Sequence, residues 1–286
     1  MNTEFTNKIP AQEQDVQPGK EEVMNPTPVY KTNTPGHGKL KDKVAVITGG
    51  DSGIGRAVSI AYAKEGAKIA IIYLNENEDA EITKKEIESL GGECILLSGD
   101  IGNEEFCIDA INKIKEKFNK INILVNNSAE QHVCEKLEDI TKEQLERTFK
   151  TNVFGAVYVT KEVLKHLSKG DCIINTTSIT AYNGNETLMD YSMTKGALTS
   201  FTRSLAINLV NKGIRVNAVA PGPVWTPLIP ASFDASEVAK FGKDNPMKRP
   251  AQPVELAEAY VFLASEGASF ITGETIHVNG GANVTT

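Results

Sequence analysis

Beyond residue 40 the apolar residues fall into short continuous blocks separated by longer amphipathic stretches. KVAVI (43–47), KIAIIYL (68–74), ECILLSGD (93–100), INILVNN (121–127), DCIINTTS (171–178) and IRVNAVAP (214–221) each predict a strand, and TGETIHVNG (272–280) a last short one. Between them GRAVSIAYAKEGA, DAEITKKEIESLGG, EEFCIDAINKIKEKFN, TKEQLERTFKTNVFGAVYVTKEVLKHL, YSMTKGALTSFTRSLAINLVNKG and PVELAEAYVFLAS predict helices, the second ending at a glycine pair. The strand blocks are apolar throughout rather than alternating, which suits a sheet covered on both faces. Repeated strand–helix units of this kind predict an α/β fold with a doubly wound parallel sheet in three α/β/α layers. No linker interrupts residues 41–286, so one domain is expected there. Residues 1–40 are rich in Pro, Gln, Glu, Thr and Asn and predict an extended or disordered N-terminal arm. Within it VMNPTPVY is expected to lie extended, because its prolines disfavour helix.

Charge and composition narrow the function classes. The 286 residues carry a formal charge of -7, which argues against nucleic acid or an anionic membrane as the main partner. No apolar run approaches the roughly 18 residues of a membrane span, and MNTEFTNKIP has no signal-peptide apolar region. Cys94, Cys107, Cys134 and Cys172 are scattered, as are the four histidines. They predict plain thiols in a reducing, cytoplasmic setting and no metal site.

The first strand runs into TGGDSGIG (48–55), which opens the first helix. A glycine-rich turn in this place receives a dinucleotide pyrophosphate, its charge facing the helix N-terminus. Gly49 would permit the tight turn, Gly53 close approach and Gly55 close helix packing. The spacing is G-x-x-x-G-x-G, so a tight turn in another α/β protein stays as the bland alternative. No GK[ST] follows, so a triphosphate loop is unsupported. In YSMTK, Tyr191 and Lys195 are four apart and share a helix face. A nearby ammonium favours the phenolate, and a proton donor to a carbonyl needs such tuning. Ser178 closes a strand at the sheet edge where open α/β folds place ligands. Thr176 and Thr177 compete with it on residue type alone.

Taken together, TGGDSGIG, NNSA (126–129), Asn152, Ser178, YSMTK and PGPVWT make residues 41–286 resemble a classical short-chain dehydrogenase/reductase. The resemblance implies a Rossmann-type fold and an NAD(P)(H)-dependent oxidoreductase that interconverts a carbonyl, aldehyde or ketone, and an alcohol. It implies a tetrad of Asn152, Ser178, Tyr191 and Lys195, and the family interval of thirteen residues selects Ser178 over Thr177. Tyr191 would be the general acid/base and Ser178 would polarise the substrate oxygen. Lys195 would lower the tyrosine pKa and hold the nicotinamide ribose, and Asn152 would anchor a relay water. Cofactor contacts are implied for Thr48, Gly49, Asp51, Ser52, Gly53, Ile54 and Gly55. Others are implied for Tyr73, Leu74, Asn75, Asp100, Ile101, Asn126, Ser128, Ala129, Tyr191, Lys195, Pro221, Gly222, Val224 and Thr226.

Two positions depart from the family pattern. NNSA stands where NNAG is common. Tyr73 stands where NAD-specific members carry Asp, and Leu74 where NADP users place Arg; Arg56 is the nearest cation in sequence. The choice between NAD and NADP therefore stays open. Residues 227–249 break the strand–helix rhythm and resemble a substrate lid, offering Phe233, Phe241, Met247, Lys240, Lys243 and Lys248. Tyr182 and Asn185 are expected in the pocket wall. The arm, GGDSGIGRA and DYSMTKGA resemble a bacterial subgroup associated with general stress proteins, which implies a small polar aldehyde, ketone or polyol. A homotetramer is implied as well, in keeping with two helices that are apolar on more than one face. Alternatives are a non-catalytic dinucleotide-binding regulator or scaffold, and a dehydratase or epimerase on the same fold.

Overall fold

The structure is a computed structural model and describes residues 8–284. Residues 1–7 of the expected arm and the last two residues of the chain lie outside it. Seven strands alternate with helices in the order β1 (Val44–Thr48), α1 (Gly53–Lys64), β2 (Lys68–Tyr73), α2 (Asn77–Ser89), β3 (Cys94–Ser98), α3 (Glu104–Phe118) and β4 (Ile123–Asn126). There follow α4 (Lys142–Phe149), α5 (Ala156–Val163), β5 (Cys172–Thr176), α6 (Thr180–Asn183), α7 (Met189–Leu209), β6 (Arg215–Pro221), α8 (Ala235–Val238), α9 (Val254–Ala264) and β7 (Thr275–Val278).

All neighbouring strands pair in parallel, in the order β3-β2-β1-β4-β5-β6-β7. This is the three-layer α/β/α Rossmann fold. β1, β4 and β5 are buried along their whole length, while the edge strands β3 and β7 are only half-buried, so burial on both faces explains the unbroken apolar runs. One core joins the sheet to α1, α2 and α9 through Val58, Ile60, Ile87 and Leu256. The other joins it to α3, α5 and α7 through Ile111, Ile114, Val159 and Leu209. Asn126 at the end of β4 donates to Asn175 Oδ1 at 2.9 Å and Thr160 Oγ1 at 3.0 Å, and Asn175 donates to Thr202 Oγ1 at 2.9 Å. This polar strip ties β4 to β5 and both to the helices behind them.

The stretch expected as one long helix from 141 is interrupted by a π-helical turn, Lys150–Gly155, between α4 and α5. Such a turn inserts one residue into the helical repeat and often marks a functional site. The described part of the arm contains no helix or strand. It runs over the body, with Ile9 and Met24 buried against Trp225, Ile229 and Val238. The indole N–H of Trp225 donates to Pro26 O at 2.7 Å, and Val254 N–H donates to Val29 O at 3.0 Å.

Candidate functional site

The C-terminal ends of the strands open into one long cleft of about 410 Å³. It begins at the glycine-rich turn, passes the ends of β2 and β3, crosses the ends of β4, β5 and β6, and reaches α7. This is the edge where the strand order reverses, the ligand position of open α/β sheets. In the turn Gly49 and Gly53 adopt φ of 63° and 52°, which glycine alone reaches without strain. A Cβ on Gly55 would stand 1.8 Å from Gly49 O, so the head of α1 closes onto the turn only with glycine there. The turn is thus a cradle that side chains would fill, and it fits a dinucleotide pyrophosphate at the head of α1.

Most of the expected contacts line this cleft: Gly49, Asp51, Ser52, Gly53 and Ile54 in the turn, Tyr73 and Leu74 after β2, and Asp100 and Ile101 after β3. Ser128 and Ala129 follow β4, and Pro221, Gly222, Val224 and Thr226 follow β6. Four do not form its wall. Thr48 lies behind it, where its Oγ1 accepts from Asn127 N–H at 2.9 Å and Ser128 N–H at 3.1 Å. That pair of bonds holds the backbone of NNSA in place although its last two side chains depart from the family pattern. Gly55 is spent on packing, and Asn75 lines a smaller neighbouring depression with Lys20 and Glu76. Asn126 is committed to the polar strip, and Asn127 beside it takes the place in the wall. Arg56 is likewise unavailable to a ligand: it is 2% exposed, and its guanidinium is held by Glu21 and Asp79.

Ser178, Tyr191 and Lys195 converge on the far end of the cleft. Ser178 Oγ accepts from the Thr180 N–H and hydroxyl, each at 3.1 Å, and its own hydrogen goes to the Tyr191 oxygen. The first turn of α7 carries Tyr191, and one turn later Lys195 donates from Nζ to Thr176 O at 2.8 Å. The ammonium nitrogen stands 5.4 Å from the Tyr191 ring centroid. Burial dominates both groups. It pushes the Tyr191 phenol up to about 12, with only the Ser178 hydrogen bond lowering it, and pulls Lys195 down to about 7. Burial of the phenol and the Ser178 hydrogen bond are what set the tyrosine in this structure.

Asn152 sits outside the wall. It is 1% exposed in the π-helical turn; its Oδ1 accepts from Glu130 N–H and its Nδ2 donates to Glu130 O, both at 2.9 Å. Nδ2 also donates to Thr194 Oγ1 at 3.0 Å. The side chain braces the loop after β4 against α7, and only one lone pair of Oδ1 remains for a relay. Of the other pocket candidates, Asn185, Phe233 and Phe241 reach the cleft. Tyr182 instead packs edge-on against His277, Met247 is 65% exposed, and Lys240 pairs with Glu237. Neither Lys243 nor Lys248 lines the cleft. Sequence reasoning missed Pro18 of the arm, and Gln131 and Leu188, all in the wall.

Asp51 carries a stability prediction. Burial first, then Glu76, raise its carboxyl to about 7 from 3.8. A carboxyl raised on folding disfavours the folded state once ionised, so its penalty is absent below about pH 4 and complete above about pH 7. Asp51→Asn should be more stable than the parent at pH 8, by about 4 kcal/mol at most, with the gain vanishing near pH 4. Paired urea titrations across that range check it; a gain that grows toward acid pH would contradict the assignment.

Residues 49–283 match the family described as Enoyl-(Acyl carrier protein) reductase. The chain is 58% identical over 283 residues, 99% of each chain, to General stress protein 39 of Bacillus subtilis. It is 48% identical over 284 residues to Glucose and ribitol dehydrogenase of Daucus carota, covering 97% of this chain and 98% of that one. A crystal structure of a short chain dehydrogenase from Burkholderia cenocepacia in complex with NADP superposes with a TM-score of 0.80 at 29% identity, covering 86% of this chain and 100% of that one. With this cleft, this sheet order and these relatives, the chain belongs to the short-chain dehydrogenase/reductase family, close to the Bacillus general stress proteins, and is an NAD(P)(H)-dependent oxidoreductase acting on carbonyl and alcohol groups.

Proposed function

We propose that Ser178, Tyr191 and Lys195 carry the proton side of the reaction on a small polar aldehyde, ketone or polyol. The observation behind this is their convergence on one cleft whose other end is the glycine-rich cradle. The bound nicotinamide supplies or accepts the hydride. The N–H groups of the turn would receive the pyrophosphate, Asp100 and Ile101 would flank the adenine, and Thr226 would meet the carboxamide. Ser178 turns its hydrogen from Tyr191 to the substrate oxygen and polarises it. Tyr191 delivers its proton to that oxygen in reduction and removes it in oxidation. Lys195 stands between the tyrosine and the ribose site and replenishes the proton. Asn152 keeps the loop after β4 seated on α7. Residues 227–249 act as the lid, closing Phe233 and Phe241 over the substrate; the two rings lie 6.3 Å apart.

The name of the carrot relative supports the polyol reading. Either nicotinamide cofactor is kept, because the adenosine end has Tyr73 and not Asp closing β2, with Glu76 the carboxylate after it, and no cation in that part of the wall among the described residues. Rates with NADH and NADPH on a panel of sugars, small aldehydes, quinones and steroids test the assignment. Turnover confined to bulky apolar ketones would refute the substrate class.

We place the protein in the cytoplasm, and as a homotetramer. Among the described residues no helix is long and apolar enough to cross a membrane. Leu145, Phe154, Ile207 and Val210 are exposed on or beside the helices that the sequence marks as apolar on two faces. Light scattering is expected to give four times the 31.0 kDa chain mass. A mass equal to one chain at all concentrations would rule assembly out.

A further inference from the structure

Residues 17–21 of the arm lie where three parts of the cleft meet. Glu21 is 1% exposed, and its Oε2 accepts from Gly53 N–H at 2.7 Å. Its other oxygen takes the Arg56 guanidinium, which holds Asp79 Oδ1 at 2.8 Å on its far side. Glu21 N–H donates to Asp79 Oδ2 at 3.0 Å. Upstream, Gln17 Nε2 donates to Gln131 O at 2.8 Å and to Ala231 O at 3.2 Å, and Gln131 N–H donates back to Gln17 Oε1 at 3.1 Å. Gly19 is pressed against the root of the lid segment, where a Cβ would stand 2.3 Å from Pro227 O. Pro18 between them is itself part of the cleft wall.

We infer that residues 17–21 are a built part of the dinucleotide site, with Glu21 a positioning residue that fixes the Gly53 turn, so that arm docking and dinucleotide binding favour one another. The inference rests on the assignment of the cleft to a dinucleotide. Gly53 N–H stands at the head of α1 and is satisfied by a carboxylate of the arm, 32 residues upstream, rather than by its own turn. Two carboxylates share one guanidinium here, burial raising the Glu21 carboxyl, and with both ionised the cluster is net negative beside the cradle. Charge alone would make loss of Glu21 tighten phosphate binding. Positioning makes it weaken binding, because Gly53 N–H and one side of Arg56 lose a partner where water does not reach. The sign of the effect therefore separates the two accounts.

Calorimetric titration of the full chain with NAD+ and with NADP+ reads that sign. Glu21→Ala is expected to raise the dissociation constant roughly tenfold, inside the roughly 5–150-fold span of site-to-site coupling. Glu21→Gln, which keeps an acceptor for Gly53, should lose less. The KM for dinucleotide should rise while kcat at saturation stays within about twofold. By reciprocity the dinucleotide should protect the arm, slowing tryptic cleavage after the exposed Lys20 of the unmodified protein. If Glu21→Ala fails to fold, Gln17→Ala and the protection experiment decide. Unchanged or tighter binding in the variants, or cleavage indifferent to dinucleotide, would overturn the inference alone. An intact protein that binds neither dinucleotide would overturn the cleft assignment with it.

Discussion

Tyr191→Phe is expected to fold, to bind dinucleotide as the parent does, and to turn over carbonyl substrates 10²–10⁴-fold more slowly, about the worth of a positioned acid/base. The ring is 9% exposed and its packing survives the change. What disappears is the proton that neutralises the developing alkoxide. With the phenol pushed up to about 12, the parent holds that proton across the neutral range. Carbonyl reduction by the parent should therefore be insensitive to this group up to about pH 9. Alcohol oxidation should rise about tenfold per pH unit toward alkaline pH, because the phenolate fraction does. Rates in both directions, with a calorimetric dinucleotide titration of the variant, check this. Near-parental turnover in Tyr191→Phe would overturn the acid/base assignment.

Lys195→Met should cost at least as much turnover and weaken dinucleotide binding too. The side chain is 1% exposed and its Nζ has Thr176 O as its hydrogen-bond acceptor in the protein. Met keeps the stem and removes the desolvated amine. Burial lowers this amine from 10.5 to about 7, so the unfolded chain takes a proton between those values that the folded chain refuses. The resulting penalty on folding is absent above about pH 11 and complete below about pH 7. The Met variant should consequently be no less stable than the parent at pH 6, and more stable in the favourable case. Lost activity combined with retained or raised stability marks a group kept for chemistry. Lost activity with a lower melting temperature would point to a packing role instead.

The sheet was legible because its strands are buried on both faces, and burial writes itself as unbroken runs such as VAVIT in β1. The cradle was legible because glycine is obligatory where φ is positive or backbones touch. The direction of a side chain is not written that way. Asn126 and Asn152 have the right identity and position, yet the amide N–H groups of each bond neighbours brought in from other elements, while Asn127 lines the wall. The π-helical turn at 150–155 leaves little mark, since α4 and α5 beside it are eight residues each, too short for its roughly 100° change of phase to register. Lys195 and Tyr191 share a face as their spacing requires, but spacing carries no information about desolvation, and desolvation sets both pKa values. The arm was least legible. Its buried Ile9, Glu21 and Met24 have no periodicity, because their partners lie on unrelated parts of the body, α1 and α2 for Glu21 and residues 225–238 for Ile9 and Met24.

The partners of the arm also set an order of events during synthesis. Pro26 meets Trp225, Gln17 meets Ala231, and Val29 meets Val254, so residues 17–29 wait for residues 225–254 to be made. A parallel sheet of non-local pairs is itself slow to assemble. Through that interval Ile9 and Met24 lack the residues that cover them, whereas Gly53, Arg56 and Asp79, the partners of Glu21, are already made. The arm is thus fastened at two places, and a chain cut short before residue 225 would lose the partners of Ile9, Met24, Pro26 and Val29 while keeping those of Glu21.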